Sequence, residues 1–210
     1  MVIFDALVQM VLTKTQWKIM QHFVGNITQT FSIRSVGEKL NMDYSLMYRS
    51  IKPLIGKYLK ENEHGMISLD YRINHQILAY AESLRANTLL EQTKYKTLRL
   101  CFDDFFKRFK EEHFVLLLFG SIVNSNKPRD IDVLLIVDDK TKTESTELQL
   151  EHIGKNLCIN NLHILCISYA SVYEMLAKRE QKNVINELLN KHIIVHGAEL
   201  FYRILNKGRQ

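Results

Sequence analysis

Phe114-Val115-Leu116-Leu117-Leu118-Phe119-Gly120-Ser121, followed after a polar loop by Asp130-Ile131-Asp132-Val133-Leu134-Leu135-Ile136-Val137, is the stretch on which the fold turns. Both apolar runs have strand length and are bounded by turn residues, so each predicts a buried β-strand. A buried strand followed by Gly-Ser, then polar sequence, then a second buried strand, is the rhythm of a mixed α/β layer. Asp130 and Asp132 stand two residues apart, and residues i and i+2 of a strand share one face. Two carboxylates side by side at a strand's start repel unless a cation lies between them. A glycine-serine turn leading into a helix turns backbone N–H groups toward a phosphate. Together these residues point to a metal-dependent site for a nucleoside triphosphate.

Downstream, Glu144 to Leu157 predicts a helix and Asn161 to Ser168 a third strand. Helices are expected over Tyr169 to Lys178 and Val184 to His192. A short strand Ile193-Ile194-Val195 then runs to Gly197, and a final helix covers Ala198 to Leu205. This half, residues 113 to 210, reads as one small mixed-sheet domain.

Upstream the rhythm is helical. Trp17, Ile19, Met20, Phe23 and Val24 keep helical spacing, with Thr13 or Thr15 as cap. Ser35 and Glu38 have capping-box spacing. Asp43 caps a helix expected over Tyr44 to Lys57, which Pro53 should loosen near its end. Tyr58 to Glu61 and Met66 to Leu69 flank Asn62-Glu63-His64-Gly65, a hairpin with a glycine turn. Connecting helices follow, Ile77 to Leu90 and Tyr95 to Glu112, with Glu91 to Lys94 as a polar hinge. The second presents Leu98, Cys101, Phe102, Phe105, Phe106 and Phe109 on one face. That face either packs on the sheet or forms a homodimer seam.

Composition narrows the classes. At 210 residues with 46% apolar residues, the chain has room for real cores. A net charge of +5 permits nucleic-acid binding without requiring it. Cys101, Cys158 and Cys166 are odd in number and lack CxxC spacing, which argues against a disulfide framework or zinc site and suits the cytoplasm. No stretch reaches the ~20 apolar residues of a membrane helix. Met1 to Leu12 is apolar but lacks a basic leader, so it is expected to be a short helix or arm.

Residues Thr13 to Ile73, by their helix, helix, turn, helix, hairpin order, resemble the winged helix-turn-helix domains of transcription regulators. The resemblance implies a DNA-binding unit over residues 1 to 75. Tyr44 to Lys57 would be its recognition helix, with Tyr44, Ser45, Tyr48, Arg49 and Lys52 facing DNA. Glu61 and Glu63 in the wing would repel phosphates.

Gly120-Ser121 after a strand, with Asp130-x-Asp132 opening the next, resembles the motif of the DNA polymerase beta-like nucleotidyltransferases, above all their small stand-alone members. The resemblance covers about Phe114 to Leu205 and implies an α+β fold. Asp130 and Asp132 would be the catalytic and Mg²⁺-holding acids, and Gly120 and Ser121 the binders of the triphosphate of ATP or another NTP. It further implies a protein or nucleic-acid acceptor, a partner toxin among them. Lys127 and Arg129 stand where they would offset triphosphate charge. Three positions depart from the family pattern. Where a third carboxylate is usual, this chain carries Asn161 or His163. The glycine and basic residue usual after Gly-Ser are replaced by Ile122-Val123-Asn124. Asp138 and Asp139 lie too far along their strand to substitute. The alternative is a DNA-binding regulator whose nucleotide domain is catalytically degenerate.

Overall fold

The computed structural model describes residues 11–125 and 127–210, so the arm expected over Met1 to Leu12 lies largely outside the described residues. The chain is mixed α and β. Among the described residues, three helices, α1 (Lys14–Val24), α2 (Ile33–Leu40) and α3 (Tyr44–Ile51), precede the antiparallel hairpin β1 (Leu59–Glu61) and β2 (Ile67–Leu69). Thr13 caps α1 with a complete capping box to Gln16. The cap of α2 is Ser32, not Ser35: its hydroxyl accepts from Ser35 N, and Glu38 pairs instead with Arg34 one turn away. Asp43 caps α3 as expected. This helix ends at Ile51 rather than Lys57, because Pro53 has no N–H to continue the ladder and the chain tightens into a 3₁₀ turn, Lys52–Leu54. Gly65 turns the hairpin at φ +70°.

Helix α4 (His75–Leu90) is the spine of the molecule, touching α1 and both cores. A 3₁₀ turn (Thr93–Tyr95) replaces the polar hinge and leads into α5 (Lys96–Arg108). The aromatic face of α5 packs on the sheet within the chain itself. Phe105 stacks on Phe109 at 4.8 Å, and Phe109 meets Phe114 edge-on at 4.9 Å.

The second half holds a four-stranded sheet in the order β5-β4-β3-β6, formed by β3 (Val115–Phe119), β4 (Ile131–Val137), β5 (Leu162–Ser168) and β6 (His192–His196). Strand β3 runs antiparallel to both neighbours, and β4 and β5 are parallel. Both faces are covered, which is why β3 and β4 read as unbroken apolar runs. Val115, Leu117, Leu134 and Ile136 join the core shared with α1 to α4, while Leu116, Leu118, Val133 and Leu135 join the core under α5. Each such leucine, fully buried, contributes about 1.5–3 kcal/mol. Between strands lie α6 (Ser121–Asn124), α7 (Thr143–Asn156), α8 (Tyr169–Ala177) and α9 (Val184–Leu188), and α10 (Ala198–Gly208) closes the chain.

The helix expected over Val184 to His192 stops at Leu188. His192 instead opens β6, pairing with Phe119. Leu188, Leu189 and His192 fit helical spacing, but the open edge of β3 offers hydrogen bonds that a longer helix would forgo. The His192 ring is fully buried. Its Nδ1 faces the Leu188 carbonyl at 2.7 Å and its Nε2 faces Glu82 Oε1 at 3.0 Å. Tyr202 donates to the same oxygen at 3.0 Å, and Arg85 meets Glu82 Oε2 at 2.6 Å and the His192 carbonyl at 2.6 Å. Burial alone would raise the Glu82 pKa. The charges of Arg85 and His192, with hydrogen bonds from His192 and Tyr202, outweigh it and hold the carboxyl below its ordinary value. Glycine at 25 makes room for this network, since a Cβ there would lie 2.7 Å from the Arg85 guanidinium. The network thus ties the end of α1, α4, β6 and α10 together directly behind Phe119.

Candidate functional site

Strand β3 ends at Phe119, and the chain reverses at Gly120 with φ +70° and ψ −142°, a region open essentially to glycine alone. A second constraint acts at the same atom. A Cβ on Gly120 would fall onto Asp132 Oδ2. Asp132 pairs with Phe119 across the β3–β4 ladder, so its carboxylate rises beside the turn and occupies the room that glycine leaves. Ser121 closes the other side: its hydroxyl donates to the Asp130 carbonyl at 3.3 Å. The Gly-Ser turn and the Asp-x-Asp pair, ten residues apart in sequence, are therefore one structural unit. With the Ser121 proton engaged by the backbone, phosphate binding here would fall to backbone N–H groups.

The parallel partner of Asp132 on β5 is His163, not Asn161. His163 Nδ1 lies 3.8 Å from Asp132 Oδ1, and its side chain is 65% exposed. Asn161 has a different task. Its side chain donates to the Arg129 carbonyl at 2.7 Å and its own carbonyl accepts from Ile131 N at 2.8 Å, fastening the loop that carries Asp130 to the start of β5. Asp138 and Asp139 stand at the far end of β4, about 20 Å along the strand from Asp132. There they serve turns, Asp138 accepting from Lys140 N and Asp139 from Ala170 N.

An open cleft of about 380 Å³ adjoins Gly120 and Ser121 and is walled by Phe119, Asn124, Leu188 and Lys191. Lys191, with Glu187 beside it, is the charged group that sequence reasoning missed. It lies seventy positions beyond Ser121 and reaches the cleft only because β6 docks on β3. No local pattern announces it. Among the described residues, no three His, Cys, Asp or Glu side chains converge as a metal-ligand set. Asp130 and Asp132 offer two carboxylates, so a hard cation here would have to draw its remaining oxygen ligands from phosphate or water.

On the other half of the molecule, Tyr44, Ser45, Tyr48, Arg49 and Lys52 are all exposed, while Met47 and Ile51 of the same helix are fully buried. The five residues thus share the solvent face, as their spacing implied. Tyr44 and Tyr48 rings lie 6.1 Å apart, and the Lys52 ammonium sits 5.3 Å above the Tyr48 ring. Lys52 also pairs with Glu61 of the hairpin at 3.3 Å, which offsets part of its charge. Among the described residues, no helix is long and apolar enough to cross a membrane. Comparison with protein-family models, with curated proteins and with solved structures finds no match to this chain.

Proposed function

We propose that this chain is a metal-dependent nucleotidyltransferase-like protein. It moves a nucleoside monophosphate from a triphosphate to a hydroxyl on a protein or nucleic acid, and its N-terminal winged helix-turn-helix binds DNA. The observation that carries the reading is the joint at Gly120, where a glycine-only turn and the Asp132 carboxylate are built around one another. In the reaction, the acceptor oxygen attacks the α-phosphorus, the bond to the β-phosphate bridging oxygen breaks, and pyrophosphate leaves with that electron pair. Asp130 and Asp132 would hold Mg²⁺ with the triphosphate, which supplies charge neutralisation at the phosphates. Gly120 lets the backbone approach the phosphates, and Lys191 in the cleft wall adds a cation. His163, 3.8 Å from Asp132, would take the acceptor's proton.

His163 also supports the second reading, a DNA-binding regulator that senses nucleotide without turnover, because an imidazole replaces an anionic oxygen beside Asp132. One experiment separates the two. The protein and an Asp130→Ala/Asp132→Ala variant are incubated with Mg²⁺, α-labelled ATP and cell extract. Label transfer that the variant loses supports the transferase. Magnesium-dependent ATP binding with no transfer supports the sensor, and transfer that persists in the variant removes both acids from the chemistry.

A further inference from the structure

The edge of the sheet that carries Asp130 has a second hollow on its opposite face. Side chains alternate along β4, so Ile131 faces away from the side on which Asp132 lies. Ile131 there forms the floor of a groove of about 520 Å³, together with Leu98 of α5 and Leu157 and Ile159 from the turn after α7. That volume lies in the range of small-molecule sites, about 300–1,000 Å³. Among the described residues, the titratable groups on its wall are Lys94 and Lys127, Tyr95 and Cys158, with no acid. In this it differs from the cleft at Gly120, which includes Glu187, and from the hollow at the far end of β3, which includes Glu112 and Glu199.

A second, independent feature marks the groove. Tyr95 lines it, is only 5% exposed, and its hydroxyl is buried with no hydrogen-bond partner among the described residues. A phenol hydroxyl left unpaired in an apolar site costs about 1–3 kcal/mol, so a ligand atom that pairs with it is favoured. The Lys94 ammonium stands 4.7 Å over the same ring, bringing positive charge next to that hydroxyl. The carbonyl end of α7 also reaches the groove, but backbone amides cap it. Leu157 N takes the Ile153 and Gly154 carbonyls, Cys158 N takes Lys155, and Ile159 N takes Gly154 again, which blunts the negative pole.

We infer that this groove binds an anionic aromatic small molecule of mononucleotide size. Its flat ring lies on Leu98, Ile131, Leu157 and Ile159, its phosphate meets Lys94 and Lys127, and the Tyr95 hydroxyl pairs with one of its polar atoms. The site is separate from the Gly120 cleft and stands whether or not that cleft performs catalysis. It also has a route to it: Lys127 and Pro128 belong to the loop that ends in Asp130, and Asn161, on the groove wall, grips Arg129 of that loop. A ligand in the groove therefore bears on the segment that positions Asp130.

Cys158 gives the test a reporter. It is exposed at the groove wall, whereas Cys101 and Cys166 are buried. The probe is AMP, and the readout is the rate of Cys158 alkylation by iodoacetamide, followed by peptide mass. AMP is expected to slow alkylation several-fold at saturation. Lys94→Ala/Lys127→Ala should abolish that protection, measured against the same variant's rate without AMP, and Tyr95→Phe should weaken it. Asp132→Asn should leave it intact. Equilibrium dialysis with labelled AMP supplies a second measurement, with about one mole bound per mole of protein and that binding lost in the lysine pair. Absence of both protection and binding overturns the inference. So does protection that survives the lysine pair, or protection that Asp132→Asn removes, since the latter places AMP in the Gly120 cleft.

Discussion

Replacing Glu82 by glutamine tests the network behind Phe119 most severely. The substitution keeps the shape of the side chain and removes its charge. Glu82 is wholly buried, as are its partners His192 and Tyr202, and the Arg85 side chain is 14% exposed. Both His192 nitrogens face oxygens, the Leu188 carbonyl and the Glu82 carboxylate, whose other oxygen holds the Arg85 guanidinium. Without the carboxylate charge, the Arg85 guanidinium loses its ion-pair partner where little water can screen it. Breaking a buried pair by removing one partner costs about 3–5 kcal/mol. For a chain of this size that lowers the midpoint of thermal unfolding by on the order of 10 °C. Glu38→Gln is the control, because the Arg34–Glu38 pair is exposed on both sides and should contribute less than about 1 kcal/mol. Urea unfolding followed by circular dichroism measures both. A Glu82→Gln cost no larger than that of Glu38→Gln would refute the reasoning. So would failure of Glu82→Met/Arg85→Met/His192→Leu to recover stability, since an apolar core of similar volume needs no charge compensation. The pH dependence carries the same sign. The folded-state pKa of Glu82 lies below its ordinary 4.5, so its contribution is complete above about pH 4.5 and drains as pH falls through the folded value. His22 acts earlier. Burial, helped by the charges of Lys39 and Arg85, lowers its pKa to about 4, so its neutral form must be charged to unfold and stability already declines between pH 6.5 and 4.

Gly120→Ala should cost about 1–3 kcal/mol from backbone strain and also displace Asp132, so magnesium-dependent ATP binding measured by calorimetry should disappear while the fold persists. Arg49→Ala should weaken DNA binding and reduce the slope of log affinity against log salt by about 1, and unchanged affinity at low salt would remove α3 as the reading helix. At pH 8, a thiol reagent should modify Cys158 alone in the native protein. Burial raises the Cys101 and Cys166 thiols to about 11 and about 12, with Asp104 and Glu147 adding to the shift, and mass spectrometry of the intact chain reads the count.

Local rules carried much of this chain. The runs Phe114 to Phe119 and Ile131 to Val137 were legible as buried strands because both faces are covered, leaving no polar alternation to confuse the pattern. The solvent face of α3 was legible from its 3.6-residue period and the cap at Asp43 from side-chain chemistry alone, while the choice of Thr13 over Thr15 was left to the structure. Where two local signals competed, sequence was weaker. Capping-box spacing pointed to Ser35, and the path of the chain from the Phe31–Ile67 bridge makes Ser32 the cap instead. Leu188, Leu189 and His192 fit a helix until the β3 edge claims His192 as a strand residue.

Sequence by itself determined the pieces of the candidate site: a glycine-serine turn after one strand and two aspartates opening the next. The reason is that strand periodicity and turn chemistry act within a few residues. Tertiary structure alone decided that Gly120 and Asp132 interlock, that His163 rather than Asn161 stands beside Asp132, and that Lys191 walls the cleft. It also decided that Glu82, Arg85, His192 and Tyr202 form one buried charged cluster. Those facts depend on strand order and register, which bring together residues up to 120 positions apart.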